Sequence, residues 1–167
     1  MEGSINIEKM RSDDWEAVRA IYLDGIATGH ATFQKEAPSW EEWDLGHDAE
    51  CRIVAHLEGE VAGWAALSPV SSRRVYAGVG EVSVYVSQKH NGKGIGSLLL
   101  KSLIELSEQN GFWTLQSSIF PENAGSIRLH KKHGFREMGR RERIGKMDGV
   151  WRDTIILERR SRVVGNQ

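Results

Sequence analysis

The sequence predicts an α/β sandwich in which a mixed sheet is flanked by helices. Three observations predict it. Segments of strand-like and helix-like apolar period follow one another in the order β-α-α-β-β-β-α-β-α-β-β. Arg52 to Leu57 and Val61 to Leu67 flank Glu58-Gly59-Glu60, the pattern of a hairpin. The strand Glu81 to Val86 runs into a glycine-rich loop, Asn91-Gly92-Lys93-Gly94-Ile95-Gly96-Ser97, and the loop opens an amphipathic helix.

Each element has its own signal. Ile5-Asn6-Ile7-Glu8 alternates as a short strand. Asp13 with Glu16 reads as a capping box, and Trp15, Val18, Ile21 and Tyr22 continue at helical spacing to about Ala27. Ser39 with Glu42 caps a second helix after Pro38. Pro69 to Gly78 is a loop carrying Arg73, Arg74 and Tyr76. Ile95, Leu98, Leu99, Leu103 and Leu106 form one helical stripe that Asn110-Gly111 stops. Thr114 to Phe120 is a strand, and Asn123 to His133 is a short helix ended by Gly134. Phe135 to Gly139 and Val150 to Leu157 close the fold around a charged turn. Residues 1–160 read as one domain, with Ser161 to Gln167 as a polar, frayed tail.

The glycine-rich loop carries the functional signal. A strand-loop-helix junction points backbone N–H groups and the positive end of the helix dipole at one spot, which suits a phosphate. The glycines at 92, 94 and 96 leave no side chains to block close approach to the backbone. No Gly-x-x-x-x-Gly-Lys-Ser/Thr P-loop is present. A dinucleotide fingerprint fails because Ser97 stands where its third glycine belongs, and no acid ends the next strand before Glu122. The run fits the shorter x-x-Gly-x-Gly pyrophosphate loop of the GNAT superfamily of N-acetyltransferases, which hold acetyl-CoA. The competing reading of the loop alone is a flexible turn before a helix.

Composition bounds the setting. The chain has 167 residues and a formal net charge of −1, which suits one domain and gives no reason to expect a nucleic-acid partner. No apolar run is long enough to span a bilayer, and Met1-Glu2-Gly3-Ser4 has no signal-peptide character. The lone Cys51 sits in a strand-like run and reads as a small core residue rather than a nucleophile. No Cys/His cluster has zinc spacing, so no metal is expected. The expectation is a cytoplasmic protein.

The element order resembles the GNAT fold over essentially the whole chain. The closer resemblance is to its phosphinothricin acetyltransferase subfamily. It rests on Ala31-Thr32-Phe33-Gln34, Gly63-Trp64-Ala65, Arg73 and Tyr76 followed by Glu81 to Val86, Pro121-Glu122-Asn123 with Ser126, His130 and Gly134-Phe135, and Gly149-Val150-Trp151-Arg152-Asp153. Gln34 departs from the subfamily's Glu, and Asn91 from the superfamily's usual Gln or Arg. His130 stands where the superfamily often carries a Tyr acid; the subfamily shares the His.

The resemblance implies a set of roles. Acetyl transfer to an amine needs a base, a thioester within reach, donors for the oxyanion and an outlet for the thiolate. Glu81 is the implied base, and the alternative is a solvated strand-end carboxylate. The backbone of Val84 and Val86 serves the pantetheine arm and the acetyl carbonyl, and Asn91 to Ser97 serve the pyrophosphate. Asn123 and Ser126 bond the cofactor arm or simply start a helix. His130 faces the sulfur or is only a polar helix position. Arg73, ahead of Arg74, clamps a substrate carboxylate, against the bland reading of surface charge. Phe33, Trp64 and Tyr76 line the substrate pocket or only pack. The implied function is acetylation of the α-amino group of a small amino acid such as phosphinothricin, methionine sulfoximine or methionine sulfone, by a homodimer. The alternatives are acetylation of another amine (a protein N-terminus or an antibiotic) and a non-catalytic acyl-CoA sensor that keeps the loop but has no use for Glu81.

Overall fold

A computed structural model describes residues 4–166. Seven strands form one sheet in the order β1-β2-β3-β4-β5-β7-β6. They are β1 Ile5–Lys9, β2 Arg52–Leu57, β3 Glu60–Pro69, β4 Val79–Val86, β5 Thr114–Ile119, β6 Arg136–Met147 and β7 Val150–Arg160. The helices are α1 Trp15–Thr28, α2 Trp40–Gly46, α3 Ile95–Gln109 and α4 Ala124–Lys132. The element order is the one expected, and the sheet is mixed: β4 and β5 run parallel, and all other pairs are antiparallel.

Both faces of the sheet are covered, which is why β3 reads as a nearly continuous apolar run rather than an alternating one. Successive side chains of a strand point to opposite faces. Ile53, Ala55, Ala65 and Leu67 therefore meet α3 through Ile95, Leu99, Leu100 and Leu103. Val54, Trp64 and Ala66 meet Trp15, Val18, Ile21 and Trp43 from α1 and α2 on the other side. Cys51 is fully buried in the first core.

The start of α2 is as expected: Ser39 Oγ accepts from the Glu42 amide, and the Glu42 carboxylate accepts from the Ser39 amide. Arg52 ties α2 to the sheet. Its guanidinium is buried and donates to Asp44, to its carbonyl and to those of Asp48 and His47.

Three expectations need correction. The Asp13 capping box does not form. Ser12–Asp14 is a 3-10 turn instead, and it is Asp14 that accepts from the Arg11 amide. The charged turn after Gly139 is strand: β6 runs to Met147 and β7 to Arg160, with Asp148-Gly149 as the turn. Residues 140–146 are nearly all exposed, so they carry no alternation to read. The tail is not frayed through Asn166. Ser161 is buried and donates to Glu108, and Arg160 donates to the carbonyls of Ser161, Val164 and Gly165.

Candidate active site

The site follows from a fork in the sheet. β4 pairs with β3 along its whole length, from Gly80↔Pro69 to Val86↔Gly63. It pairs with β5 only from Val79 to Glu81. Beyond Glu81 the two parallel strands diverge. The Ser87 amide donates to Ala62 of β3, and the Val79 carbonyl accepts from Val70 on the same side. Backbone groups alternate along a strand, so odd positions from 79 to 87 face β3. Those of Val82, Val84 and Val86 face the opening. The Val82 amide is still within the β5 register, and beyond it the fork turns the backbone groups of Val84 and Val86 to the opening.

The opening is a cleft of about 820 Å³, lined by β4, by β5 from Ser117, and by the starts of α3 and α4. Glu81 stands at the crotch of the fork, the last β4 residue paired to β5, and lines the cleft. The side chains of Val84 and Val86 pack on the core beneath α3.

The glycine-rich loop closes one end. Gly92 and Gly94 adopt φ of +78°, the left-handed region that glycine enters without strain, and a Cβ at either would meet only open space. Gly94 is the N-cap of α3. Gly96 and Asn91 line the cleft, and a Cβ on Gly96 would come within 3.3 Å of Leu129. The side chains of Lys93, Ile95 and Ser97 are engaged elsewhere. Lys93 Nζ lies 3.2 Å from His90 Nδ1, Ile95 is core, and Ser97 Oγ is 2.8 Å from His133 Nε2. The loop therefore offers its backbone. Buried His90 links Glu60, at 2.9 Å, to Lys93 of the loop.

The start of α4 faces it. Asn123 accepts from the Ser126 amide and donates to the His30 carbonyl, and both Asn123 and Ser126 line the cleft. His130 is buried and also lines it. Its Nδ1 donates to the Ser126 carbonyl at 2.7 Å, which leaves Nε2 as an acceptor with no partner among the described residues. Burial pushes its pKa down, so the neutral ring is favoured.

The other wall is aromatic. Phe33 lines the cleft and meets Phe120 edge-on at 4.8 Å. Arg152 lies over Phe120 at 4.0 Å and bonds Glu122, His30 and the Gly29 carbonyl. It ties β7 to the segment carrying Phe33. Gly145 of β6 comes so close to Phe33 that a Cβ there would lie 2.8 Å from the ring.

Four expected substrate-site residues lie outside the cleft lining: Trp64, Arg73, Arg74 and Tyr76. Trp64 is fully buried in the second core, stacked on Tyr85 at 4.8 Å. It shares the α1 face with Tyr85, but Tyr22, Trp43 and Tyr85 cover it, so packing wins over the pocket role. Tyr85 is the aromatic of that stack that reaches the cleft. Arg73, Arg74 and Tyr76 form an exposed turn outside the cleft lining, with Arg73 5.5 Å over the Tyr76 ring. Arg141 and Ile144 also line the cleft, from an exposed segment whose sequence has no apolar period to mark it as strand.

The acetyltransferase (GNAT) family model matches residues 8–135. The chain belongs to the GNAT acetyltransferase family. It is 33% identical over 159 residues to phosphinothricin N-acetyltransferase of Streptomyces viridochromogenes, covering 93% of this chain and 87% of that one. It is 29% identical over 151 residues to the L-methionine sulfoximine/L-methionine sulfone acetyltransferase of Pseudomonas paraeruginosa, covering 87% and 88%. The structure resembles a GNAT phosphinothricin acetyltransferase from Sinorhizobium meliloti in complex with acetyl-CoA, with a TM-score of 0.87 and 28% identity over 98% of this chain and 91% of that one. This GNAT protein is an acetyl-CoA-dependent N-acetyltransferase. Its cleft suits the cofactor: an unpaired strand edge for an amide-bearing arm, a glycine-rich helix start for phosphates, and an orphaned buried imidazole nitrogen.

Proposed function

We propose that this GNAT enzyme acetylates the α-amino group of small amino acids or their analogues, of the phosphinothricin, methionine sulfoximine or methionine sulfone type. The observation that carries this reading is the place of Glu81, at the crotch of the fork, where β4 parts from β5 and turns the backbone of Val84 to the cleft. A carboxylate there accepts a proton from an incoming ammonium, directly or through a water. The names of the two curated relatives support the acceptor class.

Acetyl-CoA supplies the acetyl thioester. The backbone of Asn91 to Ser97 holds its pyrophosphate, the free groups of Val84 and Val86 hold its pantetheine arm, and Asn123 and Ser126 flank that arm. A Val84 amide toward the acetyl oxygen stabilises charge that grows there during transfer. His130, neutral and with Nε2 unpaired, accepts a hydrogen bond in the cleft. A neutral imidazole is poorly suited to donate a proton to the departing thiolate. Phe33 and Phe120 pack the acceptor's aliphatic part. The same reading makes the enzyme a cytoplasmic homodimer acting on small molecules, for which light scattering on the purified protein gives the mass.

The deciding experiment is thiol release from acetyl-CoA against a panel of phosphinothricin, methionine sulfoximine, methionine sulfone, an aminoglycoside and a peptide with a free N-terminus. Turnover confined to the first three supports the reading. Turnover confined to the peptide or the aminoglycoside overturns it.

A further inference from the structure

A zwitterionic acceptor needs an acid at one end of its site and a base at the other. Glu81 answers the ammonium. Among the described residues lining the cleft, one side chain is permanently cationic: Arg141. The other carboxylate of the lining, Glu122, is taken by Arg152 at 3.2 Å. Arg141 itself is exposed and has no ion pair among the described residues. Its charge is therefore available to a ligand.

The backbone is built to present it. Opposite Thr154, Arg141 is the last β6 residue in register before a bulge, and pairing resumes at Gly145↔Arg152. Three residues thus face the single Asp153. Asp153 pins the bulge by accepting from the Arg143 amide at 2.7 Å and from Arg140 Nε at 2.6 Å, while Arg143 sits at φ +48°. Bulges re-aim side chains beside active sites. Here both Arg141 and Ile144, at the two ends of the bulge, line the cleft. Arg73 offers the contrast: it stands outside the lining, its guanidinium over Tyr76.

We propose that Arg141, rather than Arg73, is the specificity-determining cation that grips the carboxylate or oxo group of the acceptor. This rests on the amino-acid reading above. The chemistry it selects is a carboxylate or an oxidised sulfur or phosphorus group near the amine, which a guanidinium meets with paired donors.

The test compares wild type, Arg141→Gln, Arg141→Lys and Arg73→Gln in thiol release. The acceptors are methionine sulfone, its decarboxylated amine, and methionine, which lacks the sulfone oxygens. Acetyl-CoA affinity and melting temperature are measured alongside and are expected to be unchanged. Arg141→Gln is expected to raise the KM for methionine sulfone about tenfold or more, a typical loss for one charge-assisted contact. The increase should vanish for the analogue that lacks the gripped group. Loss of the effect with the decarboxylated amine assigns Arg141 to the α-carboxylate, and loss with methionine assigns it to the sulfone. Arg141→Lys should recover part of the affinity. An equal KM change for all three acceptors, or none, overturns the proposal, as does a selective loss in Arg73→Gln alone. If wild type binds acetyl-CoA by calorimetry yet turns over none of the three, the amino-acid reading fails and this assignment falls with it. Turnover of all three with one KM would instead leave acetyl transfer standing and remove only the grip.

Discussion

Glu81 and Gln differ by one proton acceptor, which makes Glu81→Gln the sharpest test at residue scale. The variant keeps the shape of the fork and should still bind acetyl-CoA. Turnover near neutral pH should fall about 10²–10⁴-fold, the usual worth of a positioned base. The deficit should narrow at high pH, where the amine loses its proton unaided. Wild-type turnover in this variant would move the base elsewhere. Glu81, Val84, Val86, Asn123, Ser126, His130 and Phe33 were legible because linked motifs named them, and each sits in or beside the cleft. Trp64 was not, since a motif names a residue without saying which neighbouring rings will cover it. Arg141 was missed for a different reason: an exposed strand has no apolar rhythm, and a bulge leaves no mark in sequence.

At the scale of elements, the loop and α2 make separate predictions. A side chain at Gly94 meets open space but must adopt φ +78°, which costs roughly 1–2 kcal/mol for an L-residue. At Gly96 the strain is steric, against Leu129. Gly94→Val and Gly96→Val should both weaken acetyl-CoA binding about tenfold or more, by calorimetry, through the lost approach to the backbone. Unchanged affinity in both would show that the pyrophosphate lies elsewhere. The second case is Arg52, buried between α2 and β2 with its donors spent on Asp44 and three carbonyls. Asp44 is half exposed, so the cost comes from the carbonyls that lose their donor, about 1–3 kcal/mol for a buried group left unsatisfied. Arg52→Ala should therefore lower the denaturation midpoint strongly, and a midpoint near wild type would mean the network adds little. The helix and hairpin order was readable because period and caps are local. The fork was not, because it depends on where β4 and β5 part, and no single segment encodes that.

The whole molecule carries a pH signature. Burial pushes the pKa values of His47, His130 and His133 down, the first two against an opposing hydrogen bond to a carbonyl. Folded, these rings hold a proton less readily than in the unfolded chain, whose value is about 6.5. Above that pH neither state is protonated and they leave stability unchanged. Below it the unfolded chain takes up more protons, so stability falls as pH falls. The melting temperature should be level from about pH 8 to 7 and decline from about 6.5 toward 5, less so in His130→Gln. A flat curve through that window would show the rings are not buried as described. One last feature bears on the reaction's own by-product. Each turnover of acetyl-CoA frees a thiol, which attacks accessible disulfides and, once oxidised, can cap an exposed cysteine. Cys51 has no exposed surface, and burial with the nearby Asp48 carboxylate pushes its thiol up to about 12. Native protein should give no colour with a disulfide reagent and one equivalent after denaturation. The enzyme can thus work in its own accumulating product without being modified by it, and a colorimetric count of released coenzyme A needs no correction for the catalyst.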